Sequence, residues 1–126
     1  MAALIVESGA NEGNWYRLGA RTLTAGRDPA NAIQIVDEKV SRKHFQIRRD
    51  EGLYLITDLK SHNGVYLNGH RMQEALLKEG DVIQVGETVL VYTDREISDR
   101  ADALQYFKQA SRRLRDEPTI TDRPGS

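Results

Sequence analysis

Apolar residues arrive in short bursts along the first three quarters of the chain, and turn residues separate them. Leu4-Ile5-Val6, Trp15-Tyr16-Arg17-Leu18, Thr22-Leu23-Thr24-Ala25 and Ile33-Gln34-Ile35-Val36 are brief and rich in β-branched or aromatic side chains. His44-Phe45-Gln46-Ile47 alternates polar with apolar, and Leu53-Tyr54-Leu55-Ile56 does so more loosely. Val65-Tyr66-Leu67, Val82-Ile83 and Thr88-Val89-Leu90-Val91-Tyr92 complete the set. Between them stand Gly9 to Gly13, Asp28-Pro29, Asp50-Glu51-Gly52, Asn68-Gly69, Glu79-Gly80-Asp81 and Gly86. No 3.6-residue apolar period runs through this region. The pattern predicts an all-β sandwich or barrel of many short strands.

The character changes after Asp94. Ala103, Phe107, Ala110 and Leu114 fall at i, i+4, i+7 and i+11, one face of a helix. Ser98 and Asp99 suit its N-terminus, Arg112, Arg113 and Arg115 suit the negative end of its dipole, and Pro118 lies just beyond. The predicted organisation is a β domain over 1–95, a C-terminal helix over 96–116 and a flexible tail over 117–126. The helix is expected to dock on its own domain, with self-association through helix or tail as the other use. Thr119 and Thr121 are candidate phosphoacceptors in the tail.

With 126 residues there is room for one domain with a real core. A formal charge of -1 gives no basic field for nucleic acid. The absence of cysteine excludes disulfides and thiolate metal sites, and suits a reducing compartment. Met1 to Glu7 carries neither a basic leader nor a signal-length apolar run, and no stretch reaches the ~20 apolar residues of a membrane span. The expected setting is the cytoplasm, with no membrane, nucleic acid, metal or cofactor.

Three polar patterns carry the chemistry. Gly26-Arg27 follows a strand: the glycine lets the backbone turn, and the arginine offers a planar fork matched to two phosphate oxygens. Ser41-Arg42-Lys43-His44 precedes a strand. Its serine hydroxyl can donate to a phosphate oxygen and Arg42 and Lys43 add charge, while His44 is expected to bond a loop carbonyl and hold the turn in shape. Ser61-His62-Asn63-Gly64 ends a loop, and the Asn63 amide can both donate to and accept from an extended peptide backbone. Asn68-Gly69 reads as a hairpin turn. Together these side chains suit gripping a phosphate dianion on a peptide. A hydrolase built on Ser41 and His44 would need an orienting acid and an oxyanion hole, and neither a G-x-S-x-G elbow nor such an acid is marked.

In order and spacing, Gly26-Arg27, Ser41-x-x-His44, Ser61-x-Asn63-Gly64, Asn68-Gly69 and Gly80-Asp81-Val82-Ile83 resemble the forkhead-associated (FHA) family. That resemblance covers roughly residues 2 to 93. It implies a two-sheet sandwich (FHA/SMAD-like) of about ten to eleven short strands and a module that binds phosphothreonine peptides without catalysis. It further implies that Arg27 and Ser41 contact the phosphate, with Arg42, Lys43, Ser61 and His62 beside them. Asn63 would hold the peptide main chain, and Gly26, His44 and Gly64 would shape the loops. The implied partner is a phosphothreonine-containing Ser/Thr kinase or its substrate. The alternative is the same fold binding partners without phosphate, or assembling through its helix. Two positions depart from the family pattern: His62 and Val65 stand where threonines are common, which places a titratable ring near the expected phosphate.

Overall fold

The computed structural model describes residues 2–95 and Gln105; the predicted helix and tail otherwise lie outside the described residues. Eleven strands follow in chain order: β1 (Ala2–Ser8), β2 (Trp15–Leu18), β3 (Leu23–Gly26), β4 (Ile33–Gln34), β5 (Phe45–Asp50), β6 (Leu53–Asp58), β7 (Val65–Leu67), β8 (His70–Met72), β9 (Glu74–Leu76), β10 (Val82–Val85) and β11 (Thr88–Thr93). They form two sheets, a six-stranded one ordered β2-β1-β11-β10-β7-β8 and a five-stranded one ordered β4-β3-β5-β6-β9. The described pairings are antiparallel except that between β3 and β4. This is the predicted all-β sandwich.

Alternation drives the layering. Phe45 and Ile47 on β5 turn inward with Tyr54 and Ile56 on β6, while Gln46 and Arg48 stay on the wetter face. Leu4, Val6, Leu18, Ile33, Ile83, Val85 and Leu90 complete the interior between the sheets. Each such side chain contributes about 1.5–3 kcal/mol by leaving water.

Three local differences from the sequence pattern have physical causes. Only the first half of Ile33–Val36 pairs as a strand, because Ile35 N–H turns to the Gly26 carbonyl (2.8 Å) and Val36 N–H to Asn11 Oδ1 (2.8 Å). The other two are β8 and β9, which carry no apolar alternation. They are sheet-edge strands whose residues are exposed or half-buried, so burial did not imprint a period on them. The Asn68-Gly69 turn does form, with φ of 51° and 86°, the pair of positive values that a two-residue hairpin of this twist requires.

The topology gathers loops at one pole. There β1 ends near the start of β11, with Ser8 opposite Val89, and Asp37 of the β4–β5 loop bonds Glu87 N–H (2.8 Å) and the Thr88 hydroxyl (2.9 Å). The β3–β4, β4–β5 and β6–β7 loops share this rim. At the opposite pole, Ala3 pairs with Thr93, so β1 starts where β11 ends.

Candidate functional site

The rim is built first from backbone. A side chain at Gly26 would collide with the Arg42 carbonyl, so only glycine lets the β4–β5 loop lie flat on the end of β3. The contact is sealed by Arg27 N–H to Ser41 O (3.0 Å), Asp28 N–H to Arg42 O (3.3 Å) and His44 N–H to Ala25 O (2.8 Å). Asn31 adds a clamp, its amide donating to Arg42 O (2.6 Å) and Asp28 O (2.9 Å). Arg27 Nε donates to Val40 O (3.0 Å), which aims the rest of an exposed guanidinium outward. Among the described residues, its two terminal nitrogens take no protein acceptor.

His44 joins the second loop to the third. It is completely buried. Ser41 N–H donates to its Nδ1 (3.0 Å), so Nδ1 is the acceptor and Nε2 carries the proton, which goes to the Gly64 carbonyl (2.8 Å). Both ring nitrogens are therefore used by backbone groups, and neither holds the Ser41 hydroxyl. The geometry matches a structural brace and not a nucleophile–base pair. Leu59 N–H to His44 O (2.9 Å) reinforces the link.

The third loop supplies Ser61, His62 and Asn63. Ser61 shapes the turn: its N–H donates to Asp58 Oδ1 (3.0 Å) and its Oγ accepts from Gly64 N–H (3.0 Å). His62 N–H donates to Ser41 Oγ (3.0 Å), fixing that oxygen while its own hydrogen stays available to a ligand. Asn63 Nδ2 donates to Lys39 O (2.8 Å), which leaves its Oδ1 to accept from a ligand. Arg42, Lys43, His62 and Asn63 are all exposed, and Ser41 and Ser61 are half-buried. The predicted site residues thus lie on these three loops, except Gly26 at the end of β3; the polar ones open to solvent, and Gly26, His44 and Gly64 lie beneath them.

Burial works to raise the Asp37 pKa, but bonds from Lys39 N–H, Glu87 N–H and the Thr88 hydroxyl outweigh it and hold the carboxyl below its ordinary 3.8. Its contribution to stability is present above that ordinary value and is lost only as pH falls through the lowered one.

Sequence reasoning did not place Lys39 or Arg71 at the rim. Lys39 Nζ pairs with Glu87 (3.0 Å) and, with Asn63, Tyr66, Gln84 and Gly86, lines an open cleft of about 300 Å³. Arg71 comes from β8, directly across from Tyr66. Its guanidinium lies on Gly64: a Cβ there would sit 2.5 Å from Nε and 2.8 Å from Cζ. The two-residue turn at Asn68-Gly69 was the available signal, because it dictates which β8 residue faces Tyr66. Among the described residues, no cluster of three His, Asp or Glu suits a metal, and no helix is long and apolar enough to cross a membrane.

A cationic fork, an oriented hydroxyl and an amide carbonyl, fixed from below by buried hydrogen bonds, are groups chemically suited to a tetrahedral anion on an extended chain. The model of the FHA domain matches residues 23–86. An oxoglutarate dehydrogenase inhibitor of Corynebacterium diphtheriae is 37% identical over 91 residues, covering 72% of this chain and 64% of its own length. The glycogen accumulation regulator GarA of Mycolicibacterium smegmatis is 37% identical over 98 residues, 78% of this chain and 62% of its own. The chain thus spans less than two thirds of these curated relatives. Among solved structures, the FhaA FHA domain bound to the intracellular domain of another protein superposes with a TM-score of 0.68 at 32% identity, over 73% of this chain and 99% of that one. Mycobacterium tuberculosis EmbR in complex with a low-affinity phosphopeptide gives 0.69 at 28% identity, over 78% of this chain and 25% of that one. On this likeness, and on the loops that carry it, the chain belongs to the FHA domain family.

Proposed function

We propose that this domain is a phosphothreonine-dependent peptide- and protein-binding module of Ser/Thr-kinase signalling. Its ligand is a phosphorylated kinase or kinase substrate. Arg27 and Ser41 receive the phosphate, Arg42 and Lys43 add positive potential, and His62 and Ser61 line the approach. Asn63 accepts from the peptide main chain, while Gly26, His44 and Gly64 hold the loops in place. The reading assigns no catalytic residue, no cofactor and a cytoplasmic setting. The relatives' names, an oxoglutarate dehydrogenase inhibitor and a glycogen accumulation regulator, support placing the whole protein in the regulation of metabolism. We further propose that 1–95 is the binding unit.

One observation carries this reading: Arg27, Ser41 and His62 come from three separate loops, yet backbone bonds tie all three together (Arg27 N–H to Ser41 O, 3.0 Å; His62 N–H to Ser41 Oγ, 3.0 Å). Titration calorimetry with a phosphothreonine peptide and its unphosphorylated twin tests it. Binding is expected only for the first, and equal affinity for both rules the reading out.

A phosphothreonine has a second pKa near 6 and carries about -1.5 to -2 at neutral pH. Affinity should therefore fall as pH drops below about 6, by up to about tenfold per unit, and should fall with added salt. Asp37 is held below its ordinary 3.8, so its own bonds to Lys39, Glu87 and Thr88 persist across that window. A flat profile between pH 5 and 7 would show that the dianion is not the species recognised.

A further inference from the structure

Unlike β5 and β6, strands β1 and β11 are buried without alternation, from Ala2 to Val6 and from Leu90 to Thr93. Ala2, Leu4, Val6, Leu90 and Tyr92 belong to the core between the sheets. The residues between them, Ala3, Ile5, Val91 and Thr93, therefore point the other way, onto the outer face of the six-stranded sheet. Ala3 pairs with Thr93 and Ile5 with Val91, so the four make one compact patch. None of them joins the core between the sheets, yet their exposures are 0%, 1%, 1% and 0%. The outer face of the other sheet shows what open positions look like: Leu53 and Leu76 there are 52% and 46% exposed. Flanking strands do not supply the shield. Trp15 and Val82, across from Ile5 and Val91, are only half-buried, and Arg17, across from Ala3, is exposed. A layer lies over this patch.

The described loops are engaged elsewhere. Asn11 of the β1–β2 loop accepts from Val36 N–H (2.8 Å), while Ile35 and Val40 of the β4–β5 loop and Leu77 between β9 and β10 sink into the core between the sheets. Met1 is four residues from Ile5, about 13 Å along a strand, too far to shield Ile5 or Val91. We propose that the segment of this chain beyond Arg95 covers the patch, with Phe107 and Leu114 as its apolar anchors. Strand β11 delivers the chain to this face, since Thr93 is itself part of the patch. The sequence spaces Ala103, Phe107, Ala110 and Leu114 for one helical face. At 1.5 Å per residue that stripe is about 16 Å long, enough to cross the roughly 13 Å from Thr93 back to Val89. Gln105, off the stripe, is exposed. The patch asks for an apolar cover: its one polar side chain, Thr93, already bonds Glu79 through Oγ1 (3.0 and 3.1 Å). The proposal does not depend on the phosphothreonine reading.

Nuclear Overhauser contacts between the Phe107 ring and the Ile5 and Val91 methyl groups test it on the full wild-type chain, in a sample mixing isotope-labelled and unlabelled copies. Contacts within one copy are expected. Contacts only between copies would give the patch to a second chain, and their complete absence would give it to another partner; either overturns the proposal. Thermal melts supply a second reading. Phe107→Ala should lower the melting temperature by about 10 °C. Combined with Val91→Ala, it should cost several degrees less than the sum of the two single changes, because both remove the same contact. Combined with Leu53→Ala on the other sheet, the losses should add. A melt that Phe107→Ala leaves unchanged, or simple additivity with Val91→Ala, counts against the segment as the cover.

Discussion

Replacing Arg27 with alanine should cost about 100-fold or more in phosphopeptide affinity while leaving the domain folded. Two charge-assisted hydrogen bonds from the terminal nitrogens at about 1.5–3 kcal/mol each account for a loss of that order. The fold loses little: the side chain is exposed, and only the bond from Nε to Val40 O (3.0 Å) goes with it, about 1 kcal/mol. Arg27→Lys should retain charge but lose much of the affinity, because one ammonium cannot serve Val40 O and two phosphate oxygens in a plane. Anisotropy titration beside a thermal melt reads both effects. Wild-type affinity in Arg27→Ala would point to the phosphate-independent mode of binding instead.

His44→Ala should markedly destabilise the domain. The ring is completely buried, and its loss strands the Ser41 N–H and the Gly64 carbonyl together. Each buried group left unpaired costs about 1–3 kcal/mol, and the vacated volume adds to it, for a total of about 3–5 kcal/mol. In a domain of this size that lowers the melting temperature by on the order of 15 °C. Because the ring joins the β4–β5 loop to the β6–β7 loop, affinity should drop even where the protein remains folded. Chemical denaturation gives the stability and low-temperature calorimetry gives the binding. A variant as stable as wild type would mean the two backbone groups find other partners.

Local chemistry was the legible part. Gly26, Gly64 and the Asn68-Gly69 turn announce themselves because few residues tolerate those backbone demands, and Phe45 with Ile47 announces β5 through alternation. His44 as a brace on a loop carbonyl was also readable, since a histidine closing a loop without an acid beside it has little else to do. What stayed hidden depends on long-range pairing. Nothing in the letters says that Ile35 N–H turns back to Gly26, that Asn63 reaches across 24 positions to the Lys39 carbonyl, or that β3 and β4 run parallel. β8 and β9 were invisible because edge strands bury too little to need a pattern. Arg71 reaches the rim only through the hairpin register and the missing side chain of Gly64.

The opposed poles have one more consequence. Strand β1 begins and β11 ends side by side, with Ala3 across from Thr93, and β11 is six residues long, so both exits lie about 20 Å from the rim. The two described ends, Ala2 and Arg95, thus stand together at the pole away from the three loops, so a label fixed at either of them sits clear of the rim.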